Sequence, residues 1–136
     1  MAITASKPDN IFSNIPKKDY LHLFDKSENN KPEYQKVIKF LEFQKQDVAK
    51  ATDIALSSVR YEENKIPSEL SDRIAEWANL LNMVAEFFEG DAKKTALWFA
   101  QPNPLLGYVP PRDMIRFGRY RKLLRFVFNT LDENKR

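Results

Sequence analysis

Residues 45–63 have the sequence KQDVAKATDIALSSVRYEE, and the spacing within this stretch decides the fold of the N-terminal half. Ala49 is small enough for two helices to approach closely, Asp53 follows four residues later, and Val59 follows ten residues after Ala49. Aspartate is among the few residues that adopt a positive φ, and a branched apolar residue anchors a following helix in the core. The spacing predicts a helix-turn-helix whose second helix covers about residues 56–63.

The second predicted helix would present polar side chains suited to DNA. Serine contacts bases or phosphates, arginine forms paired hydrogen bonds with guanine, and tyrosine reaches a phosphate. The candidates for DNA binding are Lys45, Lys50, Ser57, Ser58, Arg60 and Tyr61. The alternative is a solvated helix face on an inert packing unit. The zero net charge of residues 33–66 favours this alternative, because phosphate neutralisation supplies most non-specific affinity for DNA.

Helical periodicity extends over most of the remaining chain. Glycine occurs at three positions, and no stretch sustains the alternation of apolar and polar residues that is typical of strands. We therefore predict an all-α fold, in which a helix-turn-helix unit is joined by a long central helix to a small C-terminal helical domain. The predicted boundaries are an N-terminal arm at residues 1–30, a helix-turn-helix unit at 31–66, a connecting helix at 67–90 and a C-terminal domain at 91–136.

The element boundaries follow from apolar stripes and from proline. Apolar residues spaced i, i+3, i+4, i+7 from Tyr34 predict a helix over about residues 32–42, with Pro32 in its first turn. The four prolines within residues 101–111 predict a loop. A last amphipathic helix is expected over about residues 118–132.

The composition argues against an enzyme. The chain has no cysteine and one histidine, so thiolate zinc sites, cysteine nucleophiles and multi-histidine metal sites are not expected. No glycine-rich phosphate loop and no nucleophile–base pair is apparent. No apolar run approaches the roughly 20 residues of a membrane span, and no secretory signal is evident. We predict a non-enzymatic, cytoplasmic protein that binds no cofactor, no metal and no membrane.

Basic residues are concentrated near the C-terminus. Residues 112–136 contain eight basic and three acidic residues, a net charge of +5, while the whole chain has a net charge of +3. The apolar stripe of the last predicted helix leaves Arg121, Lys122 and Arg125 on the opposite face, with Phe126 beside them. Such a face is either solvated or contacts a charged partner.

The C-terminal half contains a longer motif, WFAQPNPLLGYVPPRDMIRFGRYRKLL, at residues 98–124. Together with the preceding helix-turn-helix and long helix, it resembles the Xre/MbcA/ParS antitoxins over about residues 33–131. The matching residues are Trp98, Pro102, Asn103, Leu105, Leu106, Gly107, Pro111, Arg112, Asp113, Gly118, Leu123 and Leu124. The resemblance implies a homodimer that binds and neutralises a RES-like toxin that consumes NAD, and that binds operator DNA to repress its own operon.

The candidates for toxin binding are Asn103, Arg119, Arg121, Lys122, Arg125, Phe126 and Arg136. Asn103 is equally suited to bracing its own turn. The chain departs from the family pattern at Tyr108, where glycine is common, at Pro110, where serine is common, and at Ala55, where a hydroxyl would cap the second helix. Two alternatives remain: a stand-alone helix-turn-helix transcriptional regulator, and an interaction protein that does not bind DNA.

Overall fold

The computed structural model describes residues 18–27 and 29–134, and in them it confirms the all-α prediction. The helices are α1 (Tyr34–Leu41), α2 (Lys45–Thr52), α3 (Ser68–Phe87), α4 (Ala92–Ala100), α5 (Pro111–Arg116) and α6 (Tyr120–Asn134). Two 3-10 turns, Leu56–Ser58 and Pro104–Leu106, interrupt the connections. None of these helices is both long enough and apolar enough to cross a membrane.

A small antiparallel ribbon precedes α1. Strand β1 (Phe24–Asp25) pairs with β2 (Lys31–Pro32), so that Phe24 lies opposite Pro32. The prediction that Pro32 begins the first helix is therefore wrong. Proline has no N–H to donate, and it is tolerated here because an edge position does not require that hydrogen bond. Helix α1 begins two residues later, and it ends where Glu42 adopts a left-handed conformation with φ of 60°.

Helix α3 is the centre of the molecule. Its buried residues include Leu70, Ile74, Trp77 and Leu81, because apolar residues occupy most of its circumference. The helix ends at Phe87, slightly before the predicted boundary of the connecting helix at residue 90. The N–H of Gly90 (φ 84°) donates to the Ala85 carbonyl at 2.8 Å, which completes the turn.

The described part of the predicted N-terminal arm packs on α3 through a polar network. The Leu21 N–H donates to the Asn82 side-chain oxygen at 3.0 Å, and the Asn82 amide donates to Asp19 at 3.0 Å. Asp19 also accepts hydrogen bonds from the backbone N–H groups of Leu23 and Phe24, both at 2.9 Å. Residues 1–17 of the arm lie outside the described residues, as does residue 28.

The N-terminal and C-terminal helices share one core. The Phe43 and Trp77 rings meet edge to face with centroids 5.7 Å apart. At the surface, Arg116 of α5 lies 3.6 Å from Asp47 of α2, and Arg112 pairs with Glu42. Helices α1 and α2 therefore pack directly against the C-terminal helices.

Candidate nucleic-acid and protein interfaces

The first helix and the turn of the predicted helix-turn-helix are confirmed. Helix α2 spans Lys45–Thr52, and Asp53 adopts the left-handed conformation expected at the turn, with φ of 60° and ψ of 30°. Val59 is 1% exposed and anchors the following segment in the core, while Ala49 is half-buried beneath it. The spacing of Ala49, Asp53 and Val59 therefore corresponds to a helix, a left-handed turn and a buried anchor, as the sequence predicted.

The predicted second helix over residues 56–63 is wrong. Leu56–Ser58 forms a single 3-10 turn, after which Val59 is extended, with φ of −80° and ψ of 93°. Ala55 offers no side-chain cap at the start of this turn, which leaves its first N–H groups without that support. Glu63 forms an ion pair with Lys31 of β2.

The DNA-binding candidates differ in their exposure. The side chains of Lys45, Lys50, Ser57 and Arg60 are exposed, and that of Ser58 is half-buried. The Lys50 ammonium lies 5.1 Å from the centroid of the Phe117 ring, so it already has an aromatic neighbour. The exposed candidates do not lie on one α-helix, because residues 59 and 60 continue in non-helical backbone.

Tyr61 is not placed to reach a phosphate. Its side chain is half-buried, and its hydroxyl oxygen is enclosed without a hydrogen-bond partner among the described residues. Burial raises the pKa of this phenol above its ordinary value. The prediction that Tyr61 points outward for DNA is therefore wrong, because its ring packs against the core.

Four basic candidates for toxin binding lie within or just before helix α6, and the prediction for Phe126 is wrong. Arg119, at its start, and Arg121, Lys122 and Arg125 within it are exposed. Phe126 does not join them, because it is half-buried and lines an apolar groove. The groove is formed by Val84, Phe87, Trp98, Phe126, Val127, Thr130 and Leu131. Arg136 lies outside the described residues.

Asn103 organises the loop between α4 and α5. Its side-chain oxygen accepts a hydrogen bond from the Leu105 N–H at 2.9 Å, and its carbonyl accepts one from the Tyr108 N–H at 2.8 Å. A backbone bridge joins Asn103 to Val109. The side chain therefore braces the turn, as one of the two sequence interpretations expected, and its contact with a partner stays a prediction.

Sequence reasoning missed the most exposed apolar residues of this loop. Leu105 is 78% exposed and Tyr108 is 70% exposed, more than the other large apolar side chains of the described residues. Leu105 belongs to the motif shared with the family and Tyr108 departs from that motif, and the sequence pattern marks neither residue as a contact with a partner. The available signal was the pair of large apolar residues around Gly107 in a stretch without charges.

Metal-ligating side chains do not cluster in the part of the chain that the structure describes. No group of three or more histidine or carboxylate side chains gathers there to hold a metal ion. The larger clefts are open and lined by side chains of mixed charge, such as Lys39, Glu42, Lys45 and Glu62.

Comparison with known proteins gives one curated relative. Over 53 residues, which are 39% of this chain, the sequence is 34% identical to Antitoxin Xre of Photorhabdus laumondii subsp. laumondii. The resemblance to Xre-type antitoxins is confirmed. The matched stretch covers 36% of that antitoxin's own length. No family model matches the chain.

A comparison of structures finds a chain of the toxin–antitoxin complex MbcT–MbcA from M. tuberculosis. The alignment has a TM-score of 0.47 and 24% sequence identity, and it covers 69% of this chain and 86% of that chain.

Proposed function

We propose that this chain is the antitoxin of a toxin–antitoxin pair and that it neutralises a protein toxin by binding it directly. The similarity to Antitoxin Xre carries the proposal. The surface of the C-terminal half supports it, since exposed basic side chains on α6 and an exposed apolar turn are both typical of protein-binding surfaces.

Neutralisation by binding requires no chemistry from this chain. A partner that covers the entrance to an enzyme's active site inhibits the enzyme by excluding its substrate. The toxin is RES-like if the family resemblance extends to the partner. The basic face at Arg119, Arg121, Lys122 and Arg125 would then contact an acidic rim around the toxin's pocket. It would not enter the pocket, because a pocket that holds the phosphates of NAD is itself positively charged.

The chain as a homodimer would also repress its own operon. Two copies place two turn segments on successive half-sites, and the exposed Lys45, Lys50, Ser57 and Arg60 would contact phosphates and bases. In a gel shift with the promoter DNA of its own operon, Arg60→Ala should weaken binding by about 1–3 kcal/mol. Unchanged affinity would remove Arg60 from the DNA interface.

A second candidate function is an antitoxin that does not bind DNA. The single 3-10 turn at Leu56–Ser58 favours it, because direct readout in the major groove normally uses an α-helix or a two-stranded ribbon. Promoter binding that falls steeply as salt increases supports operon repression. Absence of binding at low salt supports the second candidate.

Co-expression tests the antitoxin proposal itself. The gene next to the one encoding this chain is expressed from an inducible promoter, with and without this chain, and growth and co-purification are measured. We expect growth arrest by the neighbouring product, its relief by this chain, and a stable complex of the two. A neighbour that does not affect growth and does not co-purify would instead favour a stand-alone transcriptional regulator.

A further inference from the structure

We propose that the turn at residues 103–109 is a preformed apolar anchor, and that Leu105 and Tyr108 insert from it into an apolar pocket of the toxin. This inference rests on the proposed antitoxin function and names the residues that would carry it. The turn is defined by the 3-10 segment Pro104–Leu106 and by the backbone bridge between Asn103 and Val109.

The turn exposes its tip and buries its base. Leu106 and Val109 pack against the core, whereas Leu105 and Tyr108 are 78% and 70% exposed. At Gly107, between them, an added Cβ would meet no atom within 4 Å, so the tip projects from the molecule. Two large apolar side chains on a projecting tip contribute little to the stability of the isolated chain, since the water they contact is not displaced.

The turn is held in one shape by its own hydrogen bonds. The Asn103 carbonyl accepts from the N–H groups of Leu106 at 2.9 Å and Tyr108 at 2.8 Å, and its side chain accepts from Leu105 at 2.9 Å. The turn therefore loses little backbone entropy on binding, because its hydrogen bonds already order it. Preorganisation of this kind raises affinity without any additional contact.

Tyr108 is held in an unfavourable backbone conformation. Its φ is 67°, a region that glycine enters freely and that aromatic residues rarely adopt. Because the ring is mostly exposed, packing within the chain does not offset this strain. Backbone strain of this kind is concentrated at functional sites, where it is part of preorganisation for binding.

The shape and charge of the turn indicate the occupant. A projecting tip needs a concave partner, so a small ligand does not fit. Residues 101–110 contain no charged side chain, and the next basic residue, Arg112, is already paired with Glu42. A lipid surface is bound best where basic residues flank the apolar ones, so an apolar pocket on a protein suits this tip better than a membrane does.

The test compares two variants of the full chain with the wild type. The partner is the purified product of the neighbouring toxin gene, and its Kd is measured by titration calorimetry. Leu105→Asp should raise the Kd at least tenfold. Tyr108→Gly should also raise the Kd at least tenfold while leaving Tm unchanged or higher, because glycine relieves the strain at this φ. A residue with a purely structural role would not combine weaker binding with equal or greater stability.

Leu56→Asp is the matched control, because Leu56 is also a leucine in a 3-10 turn and is 50% exposed. It should change the Kd less than threefold. Wild-type affinity in both turn variants would overturn the inference, even with the antitoxin function intact. If the wild-type chain itself does not bind the toxin, the antitoxin function fails and the inference fails with it.

Two further measurements use the same variants to test the other occupants. Flotation with phosphatidylcholine vesicles, with and without phosphatidylserine, tests a lipid surface, and sedimentation equilibrium tests a second copy of the chain. We expect no vesicle binding, and the same oligomeric state for wild type and variants. Vesicle binding or self-association that depends on Leu105 and Tyr108 would assign the tip to that occupant and overturn the inference.

Discussion

The left-handed conformation of Asp53 is the residue-scale feature that links the sequence to the fold. Its φ of 60° turns the chain between α2 and the Val59 anchor. Asp53→Gly should change the free energy of unfolding by no more than about 1 kcal/mol, since relief of strain and the added flexibility of the unfolded chain oppose each other. Asp53→Val should cost about 1–3 kcal/mol, because a branched side chain is strained at this φ. Thermal unfolding measures both, and equal losses would argue against the turn.

Asp19 makes the stability of the chain depend on acid. Burial by itself raises the pKa of this carboxyl, but hydrogen bonds from Leu23, Asn82 and Phe24 outweigh it and lower the pKa below its usual 3.8. A carboxyl whose pKa is lowered by folding stabilises the native state above its unfolded pKa, and this stabilisation is lost as pH falls through the folded value.

Asp19→Asn should therefore destabilise the chain by about 1–3 kcal/mol at pH 7, because at least one buried N–H loses its carboxylate partner. The difference between wild type and variant should narrow as pH falls below about 4, because Asp19 of the unfolded chain is then protonated while the folded carboxylate, whose pKa is lower, must be protonated at a free-energy cost. Urea unfolding at pH 7 and pH 3 measures this difference. A difference of equal size at both pH values would mean that the charge of Asp19 is not involved.

At the scale of elements, an amphipathic stripe predicts where a helix lies but not every contact of its side chains. The stripe Tyr120, Leu123, Leu124, Val127 places α6 correctly, because one face of a helix must be buried. Phe126 was misplaced because it lies at the edge of that stripe, where the neighbouring Phe87 and Trp98 decide its burial. Periodicity within one helix carries no information about those neighbours.

The predicted helix over residues 56–63 is wrong for a different reason. The motif spacing predicted Asp53 and Val59 correctly, but it carries no information about the backbone between and after them. The ion pair of Glu63 with Lys31 joins this segment to a ribbon distant in sequence, a contact that no pattern within residues 45–63 indicates. The strands themselves are two residues long, too short to produce a periodic signal.

Helix α6 should contribute to stability through one face. Leu123 is fully buried, and Leu123→Ala should lower the free energy of unfolding by about 2–5 kcal/mol, because it leaves a cavity. Arg121→Ala, on the exposed face of the same helix, should change it by less than about 0.5 kcal/mol. Denaturant unfolding followed by circular dichroism measures both changes. Similar losses in the two variants would contradict the observed orientation of α6.

At the scale of the whole molecule, the shared core predicts a single unfolding transition. Trp77 lies in the central core beside Phe43, and Trp98 lies in the C-terminal half. Helix content and tryptophan fluorescence should therefore report the same midpoint in denaturant. Two separate midpoints would mean that the N-terminal helices α1 and α2 and the C-terminal helices fold independently, and that the contact between Asp47 and Arg116 is not maintained in solution.

The fold class was predictable from sequence more fully than the interfaces were. Burial follows from patterns within the chain, so α6, and α1 apart from its start, were predicted from their apolar stripes. Exposure at a contact follows from tertiary geometry, and Leu105 and Tyr108 became evident as a pair once the turn around Asn103 was described.

Titration of the purified chain against the purified product of the neighbouring toxin gene tests the central claim most directly. An antitoxin that acts by direct binding should form a saturable complex with a Kd in the nanomolar range, about −12 kcal/mol of binding free energy. It should abolish the toxin's activity at the stoichiometry of that complex. Absence of binding at micromolar concentrations of both proteins, with the toxin shown to be active, would contradict the account.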